Sequence, residues 1–226
     1  MIIMNAADPN VRPLPMSPET PIVFVVDDDV SVRESLEALI RYAGYQAETF
    51  ASARDFLARP PARVPSCLVL DVSLPDLNGL ELQERIAADR SEMPIIFITG
   101  HGDVPMTVKA MKAGAIEFLT KPIGHDVLMN AIGNALVRSE ASLGRGAELQ
   151  TLRNRYGSLS GREREVMLLV TSGMMNKQVG GKLGISEITV KAHRGRVMRK
   201  MKARSLADLV KMAGSLGITP AGEGRA

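Results

Sequence analysis

The 226-residue chain has a single cysteine, no tryptophan and only 4% aromatic residues. With Cys67 as the one thiol, no intrachain disulfide can form, which excludes a disulfide-stapled secreted fold and points to a reducing compartment. Cys67 lies inside an apolar run, so it reads as a small buried hydrophobe rather than a reactive thiol. No apolar stretch approaches the roughly 18–20 residues needed to span a bilayer. The Met1-Ile2-Ile3-Met4 start also lacks the basic region, apolar core and cleavage site of a signal peptide. A cytoplasmic protein with no membrane partner is expected. The chain also contains no Gly-x-x-x-x-Gly-Lys phosphate loop, which argues against an ATPase, and no internal repeat.

The near-neutral net charge of +3 hides a division. Residues 21–142 carry eleven basic against seventeen acidic side chains, whereas residues 143–226 carry sixteen against six, a net +10. An acidic domain joined to a basic one is the simplest organisation, and the basic part calls for a polyanionic partner, first of all nucleic acid.

Residues 1–21 hold five prolines among small polar residues and read as a disordered leader. From Ile22 strand and helix alternate. Strands are predicted at Ile22–Asp27, Gln46–Phe50, Cys67–Asp71, Ile95–Thr99 and Ile116–Leu119. Helices are predicted near Val30–Ala43, after Ser52 with Asp55 in a capping box, through Leu80–Ala88, at Pro105–Ala113 and at Asp126–Ala141. Five βα units over residues 22–141 make a doubly wound parallel sheet. Residues 142–158, with Gly144 and Gly146, read as a partly helical linker. Over residues 159–218 the strand signal vanishes and four short helices appear. Ser160 with Glu163 caps the first, Asn176–Leu183 is the second, Gly184 makes a turn, the third runs from after Ser186 to about Lys202, and Ser205 with Asp208 caps the fourth. Residues 219–226 read as a disordered tail.

Three of the strands are apolar until they end in acid or hydroxyl. In open α/β sheets ligands bind beyond the carboxyl ends of the strands, so Asp27, Asp28, Asp71 and Thr99 should converge at one edge. Crowded carboxylates repel, and burial would raise their pKa values unless a cation is present. Oxygen ligands suit Mg2+. Asp71, alone at the end of its strand, is the natural nucleophile for an aspartyl phosphate, with Lys121 as the complementary charge. Asp29 reads as a solvated acid capping the first helix.

Residues 22–140 thus resemble the receiver domain of a bacterial two-component response regulator. The resemblance implies the flavodoxin-like strand order 2-1-3-4-5, Asp27 and Asp28 as the acidic pair, and Asp71 as phosphoacceptor. It further implies Mg2+ on Asp28, Asp71 and the Ser73 backbone carbonyl, with Asp27 acting through water. Thr99 would be the switch hydroxyl, Phe118 the switch aromatic, and Lys121 would precede a cis Pro122. Leu74-Pro75-Asp76-Leu77-Asn78-Gly79 reads as a turn in which Gly79 supplies permissive dihedrals. Gly100-His101-Gly102-Asp103-Val104-Pro105 resembles a loop of the FixJ-type subgroup, with His101 as a solvated loop residue. His125 lies at a helix start and carries no signal.

In the basic half, Leu183-Gly184-Ile185-Ser186 sets a glycine turn before a helix carrying Lys191, His193, Arg194, Arg196, Arg199, Lys200 and Lys202. Val190, Val197 and Met201 form its buried stripe, leaving cations for phosphates and groove edges. Residues 159–218 resemble the LuxR-type helix-turn-helix domain of NarL/FixJ response regulators. The resemblance implies base contacts by Lys191 and Ala192, and positions near the DNA backbone for Thr189, His193 and Arg194; Arg196 and Arg199 are expected to bind DNA as cations of the same helix. It also implies pairing of a second subunit through Leu206, Leu209, Val210 and Ala213. Gly180 stands where the family usually has alanine and, with Gly181, should weaken its helix by about 1 kcal/mol per glycine. Gly195 replaces a basic reading residue of some relatives.

The expectation is a phosphorylation-dependent transcriptional regulator that is not a general enzyme. Its partners would be a sensor histidine kinase, promoter DNA, a second copy of itself on phosphorylation, and RNA polymerase as a further candidate. The alternatives are a constitutive DNA-binding protein whose receiver serves only dimerisation, and a haloacid-dehalogenase-type phosphatase. The latter needs a second acid where Ser73 stands.

Overall fold

The computed structural model describes residues 20–90, 93–100 and 104–218. Most of the expected leader, the expected tail and His101 lie outside these residues. The chain divides into two compact units, one ending at Leu143 and one beginning at Gly144.

The first unit contains β1 (Ile22–Val26), α1 (Val30–Tyr42), β2 (Gln46–Phe50), α2 (Ala53–Ala58), β3 (Ser66–Asp71), α3 (Gly79–Asp89), β4 (Ile95–Thr99), α4 (Val104–Lys112), β5 (Glu117–Thr120) and the start of α5 (His125–Gly157). All strand pairs are parallel, in the order β2-β1-β3-β4-β5. Every residue of β1, β3 and β4 is buried. Helices cover both faces of this sheet, so neither alternating set of side chains reaches water, and an unbroken apolar run is what such a strand needs. Phe24, Leu68, Leu70 and Phe97 pack on one face with Phe56 and Leu82. Val23, Val25, Val69, Ile96 and Ile98 pack on the other with Ile40, Leu128 and Ile132. The outer strands β2 and β5 are partly exposed, which matches their polar residues. Because β1 lies between β2 and β3, the ends of β1 and β3 flank the point where strand order reverses, the place where open α/β sheets bind their ligands.

Element ends follow local chemistry. Asp29 caps α1 by accepting from the N–H groups of Ser31 and Val32, as expected of a capping acid. Ser52 caps α2 by accepting from the Asp55 N–H, but the Asp55 carboxylate takes the Ser52 hydroxyl at 2.7 Å rather than completing a reciprocal box. One larger difference concerns α5. It does not stop at Ala141 but runs unbroken to Gly157, through Gly144 and Gly146. Each glycine costs about 1 kcal/mol in a helix, yet extending a formed helix is cheap and no proline interrupts the segment.

The second unit holds the end of α5 and four helices, α6 (Gly161–Thr171), α7 (Asn176–Leu183), α8 (Glu187–Met201) and α9 (Leu206–Ser215). Ser160 and Glu163 form a full capping box on α6. Gly184 closes α7 in the left-handed region at φ 67°, a conformation glycine adopts without strain, and redirects the chain into α8. Val190, Val197 and Met201 are fully buried as the expected stripe, packed with Val166, Val170 and Val179. On α9 the Asp208 carboxylate reaches past Ser205 to the Arg204 N–H.

Candidate functional site

Asp27 and Asp28 follow β1 and Asp71 ends β3, so the strand register carries all three to one rim. Each offers a carboxylate oxygen within 4.8 Å of the others. Their surroundings differ. Asp27 is fully buried, Asp71 nearly so, and Asp28 is exposed, giving the cluster a sealed floor and an open side. Lys121 reaches in from beyond β5. Its Nζ lies 2.6 Å from Asp27 Oδ2 and 3.3 Å from Asp71 Oδ1. The Lys121-Pro122 bond is cis, and the Lys121 N–H donates to the Thr99 carbonyl at 2.7 Å.

These contacts set the charges. Burial pushes the Asp71 carboxyl above the ordinary aspartate value; Lys121 opposes the rise, Asp27 adds to it and the Ser73 N–H opposes it. Burial disfavours the Lys121 ammonium, but its hydrogen bond and ion pair with Asp27, aided by Asp71, outweigh that and raise its pKa. Lys121 is therefore a fixed cation. Asp27 is held in turn, accepting from the Asp29 N–H at 2.9 Å, while its carbonyl accepts from Arg33 at 2.6 Å.

Thr99 ends β4 and is 1% exposed, one register step beyond the Ile98 that faces Asp71. Phe118 is half-buried on β5, opposite Phe97, with ring centroids 6.0 Å apart. Ser73 is exposed in the loop after Asp71 and donates its N–H to Asp71 Oδ2 at 3.3 Å. That loop is anchored at both ends. Asp76 accepts from the N–H groups of Ala53 and Arg54 at the start of α2, and Asn78 from that of Leu80 at the start of α3. Against the cost of burial, the Arg54 and Ala53 N–H groups hold the Asp76 carboxyl below the ordinary value.

Gly79 corrects an expectation. Its φ is not positive, so permissive dihedrals are not what it provides. A Cβ there would meet the Asp71 carbonyl oxygen at 2.6 Å and Phe97 Cε1 at 3.2 Å. Its role is to let α3 start hard against the strand bearing Asp71.

On the second unit, Lys191, Ala192, Arg196, Arg199 and Thr189 of α8 are exposed. Thr189 also takes part in the cap, its hydroxyl 2.8 Å from that of Ser186. His193 and Arg194 lie half-buried on the flank of α8; Arg194 donates to Asn176 Oδ1 of α7 at 3.2 Å, and His193 Nδ1 has no hydrogen-bond partner. Lys200 is turned inward to Glu163 at 2.7 Å. The dimerisation set needs correction. Leu209 and Ala213 are 0% and 2% exposed and belong to the unit's own core, because α9 must spend one face holding α6 in place. Only Leu206 and Val210 of that set are exposed.

Residues 23–133 match the family described as the response regulator receiver domain, and residues 157–213 match the luxR family of bacterial regulatory proteins. The chain is 50% identical over 198 residues to nodulation protein W of Bradyrhizobium diazoefficiens, covering 88% of this chain and 87% of that protein. It is 41% identical over 196 residues to the transcriptional regulatory protein FixJ of the same organism, covering 87% and 96%. The solved structure of the response regulator StyR superposes with a TM-score of 0.75 at 49% identity, covering 87% of this chain and 99% of that one. The chain belongs to the NarL/FixJ family of response regulators.

As a response regulator of this family it is phosphorylation-dependent, with a receiver domain carrying the acidic cluster and a LuxR-type helix-turn-helix that binds DNA. It catalyses no more than its own phosphotransfer and dephosphorylation. Among the described residues, no helix of the regulator is long and apolar enough to cross a membrane. Sequence reasoning brought Asp27, Asp28, Asp71, Thr99 and Lys121 to one rim, and the structure brings them there. It missed Arg33, which grips the Asp27 backbone, and the clamp of Asp76 on α2. An arginine on a helix and an acid in a turn give no signal of what they will meet.

Proposed function

We propose that Asp71 accepts a phosphoryl group from a sensor histidine kinase, and that this modification promotes dimerisation and promoter binding in the cytoplasm. The reading is carried by the meeting of Asp27, Asp28 and Asp71 under the reach of Lys121. An Asp71 oxygen bonds to phosphorus as the P–N bond to the kinase histidine breaks, and the imidazole leaves with the electron pair. Lys121, held protonated by Asp27, opposes the charge on the phosphoryl oxygens. Three carboxylates facing one ammonium leave the pocket short of positive charge, and their hard oxygens suit Mg2+. Asp28, Asp71 and the Ser73 carbonyl would hold the ion, with Asp27 acting through a water. Bound there, Mg2+ supplies the remaining positive charge to the phosphoryl oxygens. The Thr99 hydroxyl then turns to the phosphoryl group, and Phe118 changes rotamer with it.

In this reading residues 22–141 form the receiver and 159–218 the DNA-binding domain, joined through the helix that continues to Gly157. Lys191 and Ala192 of α8 face bases in the major groove. Thr189, His193, Arg194, Arg196 and Arg199 lie along the phosphates. The second subunit meets the exposed side of α9 at Leu206 and Val210, and RNA polymerase is a candidate partner on the promoter.

The test is labelling of the full-length chain with acetyl phosphate and Mg2+. One acid-stable, base-labile phosphate per chain, mapped to residue 71 and absent from Asp71→Asn, is expected. No labelling would favour a constitutive DNA-binding protein, and continuous turnover of phosphate esters would favour a phosphatase.

A further inference from the structure

Ile188 is the second residue of α8 and is 81% exposed, against complete burial of Val190 two positions on. It is among the most exposed large apolar side chains of the described residues, and it sits in a helix that carries five lysines and arginines. The helical repeat decides which way it looks. Residues 188, 191, 192, 195 and 199 recur at i, i+3, i+4, i+7 and i+11, and so share one face. On that face stand Ile188, Lys191, Ala192, Gly195 and Arg199, all exposed. The stripe of Val190, Val197 and Met201 occupies the opposite side. The outward face is thus mixed, with an isoleucine at its amino-terminal end, a lysine and a methyl group next, an open position at Gly195 with nothing within 4 Å of a would-be Cβ, and an arginine beyond.

A partner that covers this face must fit the charges beside the isoleucine as well as the isoleucine itself. Lys191, Arg196 and Arg199 exclude an apolar protein groove and select a polyanion. Within duplex DNA the one apolar group offered to a helix in the major groove is the thymine C5-methyl, and the amino-terminal residues of a reading helix are those that reach base edges. Gly184 and the Ser186 cap fix where α8 begins, so Ile188 stands in its first turn.

We propose that Ile188 is a specificity-determining residue that packs against a thymine methyl in the major groove, so that the preferred site carries thymine at that base. This rests on α8 being the DNA-reading helix. Lys191 and Arg199, farther along the same face, supply affinity, and Ile188 supplies discrimination that charge alone cannot give.

The test uses a randomised duplex library selected by the phosphorylated full-length chain. Each thymine of the selected site is then replaced, one at a time, by deoxyuridine, which lacks only the methyl group. For wild type, at least one replacement should weaken binding about 3- to 5-fold, the size expected for burying one methyl. The same replacement should have no effect on Ile188→Ala. That variant, exposed and a better helix former, should keep its thermal unfolding profile. Deoxyuridine penalties of equal size in wild type and Ile188→Ala, or no penalty at any thymine, would overturn the assignment. The reading of α8 itself fails separately, if Lys191→Ala binds the selected duplex as tightly as wild type.

Discussion

Glu163 closes the cap of α6 while accepting from Lys200 of α8, 37 positions away, at 2.7 Å. The Lys200 hydrogen bond, with the Ser160 N–H, holds its carboxyl below the ordinary value of 4.5. A carboxyl depressed on folding adds stability that is fully present above its unfolded pKa and is lost as pH falls through the folded one. At neutral pH Glu163→Gln should therefore cost the second unit about 1 kcal/mol, discounting for the exposure of Lys200. The difference from wild type should shrink as pH drops below 4.5. Urea unfolding followed by the methyl signals of Val166 checks both. Asp76 makes a similar case in the receiver. Asp76→Ala should remove about 1 kcal/mol of capping and speed amide exchange at Ala53 and Arg54. Some of these residues were legible and others were not, for a physical reason. Asp71 and Thr99 end apolar strands, and strand ends gather by topology whatever the details. The cap between Ser160 and Glu163 was legible as a local pattern, whereas Lys200 on Glu163 and the α2 partners of Asp76 were set by which helix ends come to lie beside them, which depends on packing across the whole unit.

At the scale of elements, strand and helix positions followed from periodicity and caps, and the differences are mostly one residue at a boundary. β5 begins at Glu117 rather than Ile116, and α4 at Val104 rather than Pro105. The larger difference, the unbroken α5, arose because two glycines resemble a linker in composition while a formed helix tolerates them. Close approaches were equally invisible. Gly79→Ala should force the start of α3 away from the Asp71 carbonyl, costing about 1–3 kcal/mol and slowing acetyl phosphate labelling. Thermal unfolding and labelling rate measure the two effects. On α7, Gly181 has open space around it, whereas a Cβ at Gly180 would meet the Ile185 carbonyl at 2.8 Å. Gly181→Ala should stabilise the second unit by about 0.5–1 kcal/mol. Gly180→Ala should gain less or lose, because the turn before α8 must shift. Comparing the two melting temperatures distinguishes helix propensity from the close approach.

At the scale of the molecule, the charge division drawn from composition corresponds to two units of different chemistry. The acidic unit concentrates three carboxylates at one rim, and the basic unit exposes cations along α8. Phosphorylation-dependent regulation means that a charge change in the first shifts an equilibrium in which the second takes part. The most direct measurement is the affinity of the full-length chain for its selected duplex, at one fixed salt concentration, before and after phosphorylation, with Asp71→Asn alongside. Coupling through Asp71 requires that phosphorylated wild type bind at least several-fold tighter than both the unphosphorylated protein and Asp71→Asn treated in the same way. Equal affinity of Asp71→Asn and phosphorylated wild type would contradict it.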